Sequence, residues 1–236
     1  MEQIKRIRQK QLAFVIRKIK AADAHDAEFL GLRPDKITLP YVADVERVIA
    51  KVQEQMVRYG SEEVRREFRR QGMALSAKPD HDVLALTHAG ARKQAVKRQL
   101  KSSASIVAAK INSNWILSVL EVANRWRRDD VRGDELSKAI EEEMLDRAEL
   151  YVKREIGGEI NEAFSLGRQV EAEQHSESIA RCVYSALLDR GTCGPCESAD
   201  GTEFPYESPE MREFAAPYKL CEGKEQCRCV ILYLSQ

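Results

Sequence analysis

Arg181-Cys182-Val183-Tyr184-Ser185-Ala186-Leu187-Leu188-Asp189-Arg190-Gly191-Thr192-Cys193-Gly194-Pro195-Cys196 is the stretch in which this chain of 236 residues changes character. Before it, long segments rich in Ala, Leu, Glu, Lys and Arg carry apolar residues at helical spacing. Within it, a β-prone run, Cys182-Val183-Tyr184, gives way to Gly, Pro and two cysteines. After it, Gly201, Pro205, Pro209 and Pro217 break any helix, and Val230-Ile231-Leu232-Tyr233-Leu234 is a second β-prone run. The expected fold is therefore mainly α. A multi-helix body over 1–158 is expected to lead into a small α+β, cysteine-rich, stapled module over 159–236, whose knob occupies 181–236. Outside its two strands the knob is poor in large apolar residues, so burial alone is not expected to order it and a covalent or metal staple is.

All six cysteines lie in that knob: Cys182, Cys193, Cys196, Cys221, Cys227 and Cys229. Two thiolates separated by two residues, as in Cys193-Gly194-Pro195-Cys196, can ligate one tetrahedral ion, and Gly-Pro suits the tight turn between them. The second cluster lies far enough downstream to fold back and complete the shell. Cys227 and Cys229 flank one residue; on an extended strand their side chains would sit about 6–7 Å apart, wide for one zinc. The expected ligands of a structural zinc ion are thus Cys193, Cys196, Cys221 and Cys227, with Cys229 as the substitute for Cys221. Cys182 reads as a small buried hydrophobe in the first strand. Disulfides, which folding in a reducing cytoplasm disfavours, and unpaired thiols are the alternatives. A redox cysteine pair would want a thioredoxin-like βαβ setting. A catalytic cysteine would need a histidine, and His25, His81, His88 and His175 all lie outside the knob.

Upstream, the chain to about Phe29 reads as one helix with Ile4, Ile7, Phe14, Val15 and Ile19 on its apolar face, broken at Gly31 and Pro34. A second helix follows Pro40 through Tyr41, Val45, Val48, Ile49, Val52 and Met56, with an interruption at Gly60-Ser61 before Val64 and Phe68. A loop over 72–79 precedes helices expected over 80–100 (Val83, Leu84 and Leu86 near its start) and 103–127. The last long pattern starts near Asp134 and runs through Leu136, Ile140, Met144, Ala148, Tyr151, Val152 and Ile156. A bend is expected at Gly157-Gly158, and a shorter helix from Glu159 to about Gln174.

Lys and Arg number 38 and so do Asp and Glu, so bulk electrostatics do not favour nucleic-acid binding. The charge is uneven: the first helix is basic, Arg92, Lys93, Lys97, Arg98 and Lys101 form a second basic stretch, and Glu141, Glu142, Glu143, Asp146 and Glu149 an acidic one. Such runs read first as solvated helix faces. For contact with DNA or a partner the better candidate is the first helix, through Lys5, Arg6, Arg8 and Lys10. No apolar run approaches the roughly 18–20 residues of a membrane span, and the N-terminus lacks the features of a signal peptide. No membrane partner is expected.

Taken in order, Asn161-Glu162-Ala163, Gly167-Arg168, the stretch Val183 to Cys196, Asp200-Gly201 and Cys227-Arg228-Cys229 resemble the C-terminal module of the phage Mu F-like head morphogenesis family. That module combines a helix ending near Gly-Arg, a strand, a D-x-x-T-C-x-x-C knuckle, a D-G turn and a terminal C-R-C. The resemblance covers about the last third of the chain. Family members commonly carry a histidine shortly before C-R-C, where this sequence has Cys221; cysteine can replace histidine in a zinc shell. The resemblance implies a minor head protein of the virion, assembled in the host cytoplasm in multiple copies. It would act with the portal protein and inner capsid or scaffold proteins in capsid assembly, DNA packaging or ejection, with packaged DNA as a further contact. Some relatives carry a toxin or enzyme domain after the module, and none is expected here.

The residues themselves give no catalytic set, and a non-enzymatic role is expected. Asp189 and Asp200 each precede a glycine turn and read as turn formers. Arg168 and Arg228 read either as contacts to phosphate or an acidic partner, or as buttresses of the knob through a carboxylate such as Glu197. No phosphate-cradling loop, nucleophile elbow or histidine-zinc helix motif is present. The alternative is a zinc-ribbon nucleic-acid-binding protein. Against it, only Arg212, Lys219, Lys224 and Arg228 are basic between Cys193 and Cys229, among several Glu and Asp.

Overall fold

The computed structural model describes residues 2–23, 25–73, 75, 90–215, 217–224 and 227–235. Five helices come first: α1 (Glu2–Asp23), α2 (Asp26–Leu30), α3 (Val42–Arg70), α4 (Gly90–Arg128) and α5 (Gly133–Gln174). The module follows as β1 (Ile179–Ser185), α6 (Gly194–Ala199), β2 (Glu203–Phe204), α7 (Pro209–Glu213) and β3 (Val230–Ser235). The fold is thus mainly α with a small cysteine-rich α+β region at the C-terminal end. Two compact units form, Met1–Ala50 with Ser102–Glu155, and Lys51–Lys101 with Ile156–Gln236. The division differs from a body ending at 158, because residues 51–101 join the unit that holds the cysteines.

In the first unit Leu12, Val15 and Ile19 of α1 pack with Phe29, Leu39, Trp115, Val119, Ile140 and Met144. Two arginines are buried with them. Arg8 donates to Gln11 Oε1 at 2.5 Å and Asn112 Oδ1 at 2.7 Å, and its guanidinium lies 5.5 Å from the Trp115 ring centre. Arg127 pairs with Asp23 at 2.8 Å and stacks 3.9 Å from the Phe29 ring centre. By length and composition, Arg98–Arg128 is apolar enough to cross a membrane, contrary to the sequence reading. Trp115, Val119 and Ala123 of that stretch are fully buried in this core, as in a core helix. The helix expected to run to Phe29 ends at Asp23, and α2 is separate.

In the second unit α3 and α5 approach backbone to backbone. A Cβ on Gly60 would meet the Phe164 carbonyl oxygen at 2.0 Å, and one on Gly167 the Val57 carbonyl oxygen at 1.9 Å. This approach explains why α3 continues through Gly60-Ser61, where an interruption was expected: contacts with α5 outweigh the roughly 1 kcal/mol helix penalty of glycine. Beside the crossing, the buried Glu171 carboxylate accepts from Ser61 Oγ at 2.6 Å and Arg65 Nη1 at 3.2 Å, with His175 Nε2 at 3.3 Å. Likewise α5 runs unbroken through Gly157-Gly158, and one helix, α4, replaces the two expected over 80–100 and 103–127. The expected start of the first of these, with Val83, Leu84 and Leu86, lies outside the described residues, as do most of the 72–79 loop, His81 and His88. The side chains of Arg92, Lys93, Lys97, Asp146, Ala148, Glu149, Tyr151 and Val152 also lie outside those described.

The sheet is antiparallel in the order β2-β1-β3, with Cys182 opposite both Phe204 and Tyr233, and Tyr184 opposite Ile231. Alternation places Cys182 and Tyr184 on the inner face, packed with Val64, Phe68, Ala172, Phe204 and Tyr233. Two side chains tie β3 to the helices. Gln71 bonds the Tyr233 carbonyl at 2.9 Å and accepts from the Ser235 amide at 2.6 Å. The buried Arg168 donates to both oxygens of Glu67 at 2.8 Å and to the Ile231 carbonyl at 2.8 Å.

Candidate metal centre

The thiols converge because three short elements deliver them to one point. Cys193 precedes the first turn of α6 and Cys196 sits within it, Pro195 being well placed in a first turn. Cys221 follows Tyr218 in a tight turn closed by the Cys221 amide on the Tyr218 carbonyl at 2.8 Å. Cys227 and Cys229 precede β3, and Asn161 on α5 holds the Cys227 carbonyl at 2.8 Å. Arg228 between them makes a bidentate pair with Asp189, at 2.7 and 2.5 Å, which closes the 189–193 loop over the cluster. Asp189 also accepts from the Gly191 amide at 2.8 Å, and Asp200 from the Ala186 amide at 2.7 Å. Both aspartates therefore do turn work, and the partner of Arg228 is Asp189, not Glu197.

The sulfurs fall into two sets of three that share Cys196. Cys193, Cys196 and Cys221 form one, Cys196, Cys227 and Cys229 the other, each with all sulfurs within 4.8 Å of one another. All six cysteines are free thiols. A tetrahedral ion bound to sulfur at about 2.3 Å has sulfur–sulfur edges of about 3.8 Å. The Cys193–Cys221 separation is 3.8 Å, and a cavity of about 30 Å³ lies among the five sulfurs, walled by Leu187, Gly191 and Arg228. The cluster can hold a metal ion. The spacing argument against pairing Cys227 with Cys229 does not hold, because residues 227–229 are not part of the strand and their sulfurs converge. Cys182 is fully buried in β1, outside both sets.

The electrostatics are uneven. Backbone N–H bonds, foremost from Cys196 and then from Glu222 and Gly223, bring the Cys193 thiol down to about 7. Burial pushes Cys227 up, but amide bonds from Tyr218 and Cys229 outweigh it and leave its pKa lowered. Burial raises Cys196 and Cys229, and raises Cys221 to about 11. Cys182 is likewise raised to about 11 by burial alone. Sequence reasoning missed Tyr184, whose fully buried hydroxyl donates to Cys196 Sγ at 3.2 Å. A ligand sulfur held by such a donor is oriented by it. The strand pattern shows that Tyr184 points inward, but not which sulfur it meets.

Of the expected contact residues on α1, Arg6 and Lys10 are exposed and Lys5 is half-buried. Arg8 is corrected: it has no exposed surface, because Gln11, Asn112 and Trp115 enclose its guanidinium, so it cannot meet DNA or a partner. Compared with models of known protein families, with characterised proteins and with solved structures, the chain has no match.

Proposed function

We propose that the chain is a bacteriophage minor head protein whose C-terminal knob is stapled by one structural zinc ion. Cys193, Cys196 and Cys221 supply three corners of the zinc shell and Cys227 the fourth, with Cys229 beside it; zinc suits an all-thiolate, closed site. Bound there, the ion supplies cross-linking and no reaction. The observation that carries the reading is that several of the motif residues, in their sequence order, tie the knob together or join it to the helices beneath it. Gly167 permits the α3–α5 contact and Arg168 anchors β3. Asn161 fixes the Cys227 carbonyl, and Asp189 and Arg228 lock the knuckle loop to the C-R-C segment.

On this reading the protein is a structural component of the virion, assembled in the host cytoplasm, and not an enzyme. It acts with the portal and inner capsid or scaffold proteins in capsid assembly, DNA packaging or ejection. Exposed Arg6 and Lys10 are the available basic contacts on the first helix. Co-sedimentation of the full chain with purified portal assemblies tests the reading, and retention on the portal in stoichiometric amounts is expected. No association with portal, together with salt-dependent binding to duplex DNA, would overturn it in favour of a zinc-ribbon nucleic-acid-binding protein.

A further inference from the structure

We propose that the five-thiol cluster is also a two-ion site for a soft monovalent metal of the copper(I) type, with Cys196 as the thiolate bridging the two ions. The proposal rests on the reading of this cluster as a metal centre and extends it from one ion to two. Its basis is the arrangement of the sulfurs: two triangles sharing the Cys196 vertex, each with its members within 4.8 Å of one another. One tetrahedral divalent ion uses four sulfurs and leaves a fifth beside a filled shell. Two three-coordinate ions use all five, Cys193, Cys196 and Cys221 around one and Cys196, Cys227 and Cys229 around the other.

The number of ligands favours this stoichiometry for a soft monovalent ion over two divalent ones, and the donor type and the hydrogen bond to Cys196 suit a bridged pair. A trigonal ion needs no fourth ligand, whereas two tetrahedral divalent ions have eight ligand places between them, of which the five sulfurs, with Cys196 shared, fill six. Thiolate donors select copper(I) and zinc among biological ions. A sulfur bound to its Cβ and to two metals keeps one electron pair, and the Tyr184 hydroxyl lies 3.2 Å from Cys196 Sγ to donate to it. Each thiol that binds gives up its proton to solvent, and no electron is transferred because the ion enters already reduced.

The test is an anaerobic titration of the reduced, metal-free full chain with copper(I), beside a separate titration with zinc. Thiolate-to-copper absorption in the ultraviolet is followed, and bound metal is counted after desalting. Copper(I) is expected to saturate at about two ions per chain and zinc at about one. Cys229→Ser breaks only the second triangle, so copper should fall to about one while zinc stays at about one. Cys182→Ser, outside both triangles, should keep the wild-type copper count. Saturation of the wild type at one copper, or two coppers retained by Cys229→Ser, would overturn the bridged pair while leaving the zinc site intact. Uptake of neither metal would instead overturn the metal centre itself.

Discussion

Cys193 is the half-exposed member of a cluster whose other four thiols are buried, and it is the one whose sulfur receives the backbone bonds that lower its pKa to about 7. In metal-free protein it should therefore be the first thiol alkylated by iodoacetamide. Its rate should rise with pH and reach half its maximum near 7, because the thiolate is the nucleophile and predominates above the pKa. Peptide mapping by mass spectrometry reads this directly; first modification at Cys196 or Cys221 would contradict the assigned geometry. Arg168 makes a second residue-level prediction. Arg168→Met leaves Glu67 without its bidentate partner, and a loss of about 3 kcal/mol in denaturant unfolding is expected, the low end for breaking a buried pair because Glu67 retains some water. Replacing Glu67 by Leu in the same chain should recover part of the loss. The thiols were legible in sequence because Cys193 and Cys196, and Cys227 and Cys229, are locally spaced pairs and every cysteine lies in the knob. Asp189 as the partner of Arg228, Glu67 as that of Arg168 and the burial of Arg8 were not, because each depends on residues far apart in the chain.

Among the elements, the long helices and both long strands follow from periodicity and β-prone composition, whereas helix ends and the short helices α2, α6 and α7 do not. Pro195 and Pro209, expected to break helices, each sit in a first turn, where proline's missing N–H costs no helical bond. The sequence predicts breaks at Gly60-Ser61 and Gly157-Gly158, since glycine weakens a helix interior, yet α3 and α5 run through both. The two sites differ physically. Gly60 sits where a side chain would collide with the α5 backbone, while a Cβ at Gly157 meets nothing within 4 Å. Gly60→Ala should thus lower stability by about 3 kcal/mol, the upper end of overpacking effects. Gly157→Ala should raise it by roughly 0.5–1 kcal/mol through helix propensity. Thermal unfolding of the two variants checks the pair, and equal effects would contradict the close α3–α5 crossing. The two-residue strand β2 left no readable pattern; it is too short for alternation to register.

For the whole molecule, the cysteines share a hydrophobic core with Val64, Phe68 and Ala172, so the knob is continuous with the ends of α3 and α5. Body and module cannot be separated at one point in sequence, because the division into units falls inside α3, α4 and α5. Removing the metal should accordingly loosen β1, β2 and β3 together with those helix ends. The core of the first unit, built on Trp115, Val119, Ile140 and Met144, contains no thiol and should keep its protection. Hydrogen exchange with and without chelator, or in Cys193→Ser, separates these regions; equal loss of protection in both would contradict a metal staple confined to the second unit.

A metal ion holds the five-thiol cluster together on this account. Its most direct test is the metal content of protein purified under reducing conditions, measured with a thiol count before and after chelation. About one zinc per chain is expected, with the cluster thiols unreactive until the ion is removed. Metal-free protein whose cluster thiols react at once, or are paired as disulfides, would contradict it.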